Sequence, residues 1–215
     1  EAAKLLSFPT QKTMRIAQSL YEGVQIKGRG VVGLITYLRT DSTRISEEAH
    51  QAVLQKIETE YGEKYCQKKP SEEKKDGKIQ DAHEAIRPSY LDITPYEAKD
   101  SLSKDEYKLY QLIYKRFLAS RMEAAVYETE SIKLSAGKYI FSLSGSRLKF
   151  DGFLAVYMSE EDKNEKNISL PPMEIGDSFP VKEWLKEQHF TQPPAHFTEA
   201  SLVKALEEGG IGRPS

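Results

Sequence analysis

Residues 33–44 read GLITYLRTDSTR, and the rest of the chain is interpreted outward from this stretch. Its first half is rich in glycine, aromatic and β-branched residues, which favours an extended segment over residues 30–38. In an extended chain alternate side chains share a face, so Tyr37, Arg39 and Asp41 are predicted to point the same way. The pattern therefore brings a phenol, a guanidinium and a carboxylate together.

These three groups suit chemistry on a phosphodiester. Tyrosine is a weak nucleophile at neutral pH, but a neighbouring cation favours its ionised form, and arginine binds phosphate through two parallel hydrogen bonds. The pattern alone also fits a simpler interpretation. In that interpretation Tyr37 is one of 12 tyrosines, half-buried on a strand, and Arg39 and Asp41 form a surface ion pair.

The local charge around this stretch favours an anionic partner, although the total charge does not. The 215 residues include 31 basic and 33 acidic side chains, and the net charge of -2 does not by itself indicate nucleic-acid binding. Between Lys12 and Arg44, however, there are six basic residues and two acidic ones. The positive excess thus coincides with the Tyr37 stretch.

Composition places the chain among globular proteins and excludes several functional classes. Hydrophobic residues make up 39% and charged residues 30%, and the apolar runs are far shorter than the ~20 residues of a membrane helix. The single cysteine, Cys66, excludes an internal disulfide and a cysteine-rich zinc site. Because no signal-peptide pattern is present either, we expect a cytoplasmic location and no membrane partner.

Helical patterns lie on both sides of the Tyr37 stretch. Apolar residues recur at helical spacing up to Gly23, and Ser46 is predicted to cap a helix that ends near Gly62. Capping boxes begin at Thr94 and Ser103, and the second precedes a longer helix with one buried stripe. The stripe comprises Tyr107, Tyr110, Ile113, Tyr114, Phe117 and Leu118.

Strand-like patterns follow, and they complete an α+β chain. Predicted turns at Ala136-Gly137 and Gly145-Ser146 separate three short strands, at 126–134, 139–143 and 148–150. Thr198 is predicted to cap a last helix that ends near Gly209. We predict three parts: a mainly helical domain with winged-helix character (1–120), an antiparallel β unit (121–190), and a linker with the first helix of a further domain (191–215).

The Tyr37 stretch resembles the active-site motif of type IA DNA topoisomerases, the bacterial topoisomerase I family. Residues 12–23 (KTMRIAQSLYEG) resemble the helix before that motif, and residues 81–88 (DAHEAIRP) resemble a second signature of the family. Residues 193–204 (PPAHFTEASLVK) resemble a third, which leads to GIGRPS at 210–215. Four matches in the same order span most of the chain.

The resemblance assigns roles to individual residues. It implies that Tyr37 is the nucleophile, which becomes joined to a 5′-phosphate of one DNA strand, and that Arg39 neutralises charge on that phosphate. His83 matches the phosphate-contacting histidine of the family, and Asp41 either orients Arg39 or the nearby backbone or is structural. Three further arginines are expected near the DNA backbone: Arg44, Arg87 and Arg213.

The resemblance also implies an activity and a partner. The expected enzyme is an ATP-independent isomerase that cleaves and religates one DNA strand to relax negative supercoils, with single-stranded DNA bound through its backbone. Mg²⁺ is implied for the full-length enzyme, in an acidic domain outside this chain, so we expect the chain to bind no metal or cofactor.

We expect the chain to be part of a longer protein and to be inactive alone. Its partial β arch predicts self-association through unpaired strands, and the family implies hinges near residues 120 and 191. The alternative function is a non-catalytic winged-helix module that binds DNA, because the order of helices and strands also resembles that fold.

Overall fold

A computed structural model describes residues 1–40, 42–68, 83–157 and 170–211. The helices in these ranges are α1 (Ala2–Leu5), α2 (Thr10–Glu22), α3 (Glu47–Tyr61), α4 (Pro95–Ala98), α5 (Lys104–Ala119), α6 (Leu154–Tyr157) and α7 (Glu199–Glu208). The strands are β1 (Val24–Ile26), β2 (Gly30–Val32), β3 (Val126–Ala136) and β4 (Tyr139–Phe150). Helices and antiparallel strand pairs in one chain confirm the α+β class. The winged-helix character and the domain limits stay predictions.

The helices begin where the sequence places their caps. The Ser46 side chain accepts a hydrogen bond from a backbone N–H in the first turn of α3, and that helix ends before Gly62. Thr94 and Ser103 form the predicted capping boxes at the starts of α4 and α5. Thr198 caps α7 in the same way. These bonds satisfy backbone amides that have no partner inside the helix.

The hydrophobic core is formed mainly by α2, α3 and α5. The predicted stripe of α5 is confirmed, with Tyr110, Tyr114, Phe117 and Leu118 buried, and the other two members half-buried. The Tyr110 hydroxyl donates to a backbone carbonyl at 2.6 Å, and so does that of Tyr114. Burial raises the pKa of both phenols well above the ordinary value.

Strands β3 and β4 form a long hairpin, here called the β3–β4 hairpin. The ladder runs from Val126 opposite Phe150 to Ala136 opposite Tyr139, and the predicted turn at Ala136-Gly137 is confirmed. The predicted turn at Gly145-Ser146 is wrong, because β4 is continuous there. Between residues 170 and 198 the described chain contains no strand, so the predicted β unit is represented by this hairpin.

The base of the β3–β4 hairpin is bonded to the helical part of the molecule, and we call this region the junction (Tyr65, Glu123, Asp151 and Gly152). The amide of Glu123 donates to the carbonyl of Tyr65 at 2.8 Å, and the Tyr65 hydroxyl donates to Asp151 Oδ1 at 2.8 Å. A Cβ at Gly152 would lie 2.4 Å from the Glu123 carbonyl oxygen, so the backbones touch there. The hinge expected near residue 120 therefore lies beside a bonded region.

The described residues after 170 are sparsely packed. Trp184 contacts Phe141 of the β3–β4 hairpin, with ring centroids 6.0 Å apart. The larger apolar side chains of α7 are exposed: Leu202, Val203 and Leu206. A search of the described residues finds no helix with the length and apolar character required to cross a membrane.

Candidate active site

The first half of the Tyr37 stretch is fixed against the end of α2. The amide of Leu34 donates to the carbonyl of Leu20 at 2.7 Å. A Cβ at position 33 would lie 2.6 Å from the carbonyl oxygen of Tyr21, so Gly33 is required for this close approach. Leu34 and Ile35 are both buried, and the stretch is anchored in the core just before Tyr37.

The Tyr37 stretch is also hydrogen-bonded to the loop of residues 83–89. Thr36 N donates to the Arg87 carbonyl at 3.0 Å, and Arg87 N donates to Thr36 Oγ1 at 2.9 Å. The same hydroxyl donates to the Ala85 carbonyl, at 2.8 Å, across 49 positions of sequence. Two motifs far apart in the sequence are thereby brought together.

Tyr37 is partly exposed and packs against two other rings. Its side chain is 37% exposed. The Tyr21 ring meets it edge-on, with centroids 5.5 Å apart and planes 69° apart. The His83 imidazole lies 5.1 Å from it, centroid to centroid, at 35°. The phenol is thus accessible to solvent while neighbouring rings limit its orientation.

Tyr37 and Arg39 line the same cleft, which has a volume of about 570 Å³. Both side chains are exposed and Leu38 between them is buried, as alternation predicts. Arg39 forms no ion pair with any residue that the structure describes. Asp41 lies outside the described residues, so its predicted position beside Arg39 stays a prediction.

The remaining predicted residues occupy different surroundings. His83 contacts Tyr37 as described, whereas Arg87 forms an ion pair with Glu84 at 2.6 Å and is only 16% exposed. Glu84 also accepts a bond from the amide of Ser46 at 2.8 Å, which ties the loop to the start of α3. The Arg44 carbonyl accepts a bond from this loop, at 2.7 Å from Ala85 N. The predicted contact of Arg213 lies outside the described residues.

Comparison with known proteins identifies the family. A family model described as DNA topoisomerase matches residues 1–215. The full-length topoisomerase I from Thermotoga maritima is 40% identical to this chain and superposes with a TM-score of 0.82. The chain belongs to the type IA DNA topoisomerase family. It is covered completely in that match and spans about a third (34%) of the Thermotoga chain.

In this type IA topoisomerase chain, helix α2 contributes side chains to the cleft that the motif did not indicate. They are Met14, Arg15, Gln18 and Glu22. The Gln18 amide donates to Glu22 Oε1 at 2.5 Å. Residues 15, 18 and 22 follow i, i+3, i+7 spacing, which places them on one face of a helix. The sequence spacing therefore indicates that these three residues share a helix face. Only the packing of α2 on the Tyr37 stretch shows that this face lines the cleft.

The described acidic, histidine and cysteine side chains are spread over the molecule. No group of three or more of these residues in the described ranges is arranged to hold a metal ion. The Mg²⁺ that the topoisomerase resemblance implies does not fit these residues, so no chemical step below is assigned to it.

Proposed function

We propose that this chain supplies the nucleophile with which a type IA topoisomerase cleaves and rejoins one strand of DNA. One observation carries the proposal: the exposed Tyr37 phenol shares a cleft with Arg39 and has the His83 ring 5.1 Å away. An accessible phenol thus has a guanidinium in the same cleft and an imidazole against its ring.

In the proposed reaction, Tyr37 Oη attacks the phosphorus of a single-stranded segment. The bond from Oη to phosphorus forms while the bond from phosphorus to the 3′-oxygen breaks. The phenol loses its proton and the departing 3′-oxygen gains one, which leaves a 5′-phosphotyrosine link and a free 3′-hydroxyl. Religation is the reverse reaction. Because one phosphodiester replaces another, the cycle requires no ATP and allows negative supercoils to relax between the two steps.

Arg39 and His83 have distinct parts in this proposal. The Arg39 guanidinium offers paired donors to the non-bridging oxygens, on which charge increases in the transition state. His83 contacts the same phosphate from the 83–89 loop, which the Thr36 hydrogen bonds hold beside the nucleophile. DNA binding would then depend mainly on backbone contacts and weaken with added salt.

The nucleophile is tested by a Tyr37→Phe substitution in the complete gene product that contains this chain. An oligonucleotide labelled at its 3′ end should leave label on the denatured wild-type protein, since the protein is joined to the downstream 5′-phosphate. Tyr37→Phe should form no labelled adduct and relax no supercoiled DNA, while its affinity for single-stranded DNA stays within about twofold. An adduct formed by this variant would disprove the role of Tyr37. Undiminished function would instead favour the non-catalytic binding module.

We also propose that residues 1–215 alone neither relax DNA nor form the adduct. The proposal is supported by the missing carboxylate cluster among the described residues and by the one-third share of the Thermotoga chain. Supercoiled DNA incubated with this chain and Mg²⁺ should remain supercoiled, and an adduct resistant to denaturant would contradict the proposal. An enzyme acting on DNA in this way fits a cytoplasmic location.

A further inference from the structure

Arg15 is a cation of α2 that lines the cleft of Tyr37 and Arg39. It is exposed and forms no ion pair with any residue in the described ranges. Lys12, three residues earlier on the helix, is paired with Asp105 at 2.7 Å. The positions three and four residues from Arg15 contain no acid: Gln11, Lys12, Gln18 and Ser19. The positive charge of Arg15 is thus left for a ligand in the cleft.

The cleft as a whole favours an anion with more than one charge. Among its described lining residues, Arg15 and Arg39 are positive and Glu22 is negative, and the Glu22 carboxylate accepts the Gln18 amide at 2.5 Å. A single phosphate on Arg39 would leave Arg15 without an anionic partner. A chain of phosphates would satisfy both arginines, since both line the same continuous surface.

Helix geometry separates Arg15 from the part of α2 that contacts Tyr37. Tyr21, whose ring packs on Tyr37, is six residues from Arg15 along α2, or about 9 Å along the helix axis. Arg15 is therefore placed for a phosphate about one or two nucleotides from the one beside Tyr37. Met14, which also lines the cleft, offers apolar surface for the intervening sugar.

We propose that Arg15 forms a second phosphate subsite in the Tyr37 cleft and holds a backbone phosphate about one or two nucleotides from the attacked one. The inference rests on the proposed function and extends it by naming how the single strand is aligned. Arg15 is a positioning residue here, because it binds a phosphate that takes no part in the chemistry. Its removal should weaken binding and leave the chemical step almost unchanged.

The first test compares Arg15→Gln with Lys12→Gln in the complete gene product. Arg15→Gln should raise the Kd for a single-stranded oligonucleotide about 5- to 10-fold and reduce the slope of log K against log salt by about 0.7, the value for one phosphate contact. The rate of adduct formation at saturating DNA should stay within about twofold. Arg15→Lys should restore the slope. Lys12→Gln, which removes a paired cation outside the cleft, should leave the Kd and slope unchanged.

The second test locates the phosphate with oligonucleotides that carry one uncharged methylphosphonate linkage at successive positions. One linkage, outside the cleavage site, should weaken binding to the wild type at least fivefold and have less than a twofold effect on Arg15→Gln. Identical profiles for the two proteins, or equal losses for Arg15→Gln and Lys12→Gln, would overturn the subsite. Failure of the Tyr37→Phe test would instead remove the proposed function, so the two failures are distinguishable.

Discussion

The Tyr37 phenol combines accessibility with restricted orientation. It is 37% exposed, yet its ring contacts Tyr21 and His83, which come from two separate parts of the sequence. A nucleophile that is fixed before the substrate arrives loses less entropy on reaching the reactive geometry. The two neighbouring rings should therefore affect rate more than they affect stability.

Tyr21 provides a test of this effect. Replacing Tyr21 by Ala removes the edge-on contact, worth about 0.5–1.5 kcal/mol, and leaves Tyr37 free to adopt other rotamers. We expect adduct formation to slow about tenfold, as measured in single turnovers of the complete gene product. Tyr21→Phe keeps the ring and serves as the matched control, with a rate close to wild type. Equal rates for Tyr21→Ala and wild type would contradict the orienting role.

The buried phenols of α5 predict how stability depends on alkaline pH. Burial raises the pKa of Tyr110 and Tyr114, so above about pH 10 the unfolded chain ionises while the folded chain keeps both protons. The contribution of these two tyrosines to the free energy of unfolding is fully present below about pH 10. As the pH rises further, the free energy of unfolding should fall by about 1.4 kcal/mol per pH unit for each tyrosine.

Urea unfolding at several pH values measures this slope. Tyr110→Phe should reduce the slope by about 1.4 kcal/mol per pH unit, the share of one tyrosine. Because it leaves the Ile93 carbonyl without its donor, it should also cost about 1–2 kcal/mol at pH 7. Tyr96→Phe is the control, since that side chain is 84% exposed and should change neither quantity. A slope unaffected by Tyr110→Phe would show that other groups determine the alkaline loss.

Among the structural elements, the close contact between the Tyr37 stretch and α2 should be sensitive to a single methyl group. Gly33→Ala places a Cβ against the Tyr21 carbonyl and should cost about 1–3 kcal/mol while shifting Tyr37 away from the cleft. Adduct formation should fall with it. Gly28→Ala, at a position with open space and φ +80°, should cost stability alone, through backbone strain. If both variants lost adduct formation equally, the close contact between Gly33 and the Tyr21 carbonyl could not be the cause of the loss.

Local signals predicted the elements well where they act through neighbouring residues. The caps at Ser46, Thr94, Ser103 and Thr198 are confirmed because a capping bond depends only on residues three positions apart. Gly145 misled the strand prediction because glycine and serine are typical of turns, whereas in the structure Gly145 pairs with Glu130 inside the ladder. Its partner lies 15 positions away and cannot be inferred from the local pattern.

The candidate site was predictable only in part, for the same physical reason. Alternation correctly placed Tyr37 and Arg39 on one face, with Leu38 buried between them. The extended segment does not continue as a strand of a sheet, because Thr36 bonds to the 83–89 loop instead. The Arg15 face of α2 was missed, since its place on the cleft depends on tertiary packing that no motif encodes.

The β3–β4 hairpin dominates the behaviour expected of residues 1–215 as a whole. It is a two-stranded ladder with exposed apolar side chains, including Ile140 at 69% and Phe141 at 44% exposure, and its outer edges are unpaired among the described residues. Two-stranded sheets of this kind are marginal alone, and free edges pair with other strands. We propose that this chain self-associates through the hairpin.

Sedimentation over a range of concentrations tests self-association. The wild-type chain should show a concentration-dependent increase in mass, and Ile140→Lys should remain monomeric, because a charge on the exposed hairpin opposes strand pairing. Lys138→Arg, in the hairpin turn, is the control that keeps the charge unchanged. A clean monomer of the wild type at high concentration would contradict the proposal.

The junction at Tyr65, Glu123, Asp151 and Gly152 has a mechanical consequence. It joins both ends of the β3–β4 hairpin to the unit that carries Tyr37, through backbone bonds, a side-chain bond and direct backbone contact. Because these bonds link the base of the hairpin to that unit, we expect a displacement of the base to move the Tyr37 region with it.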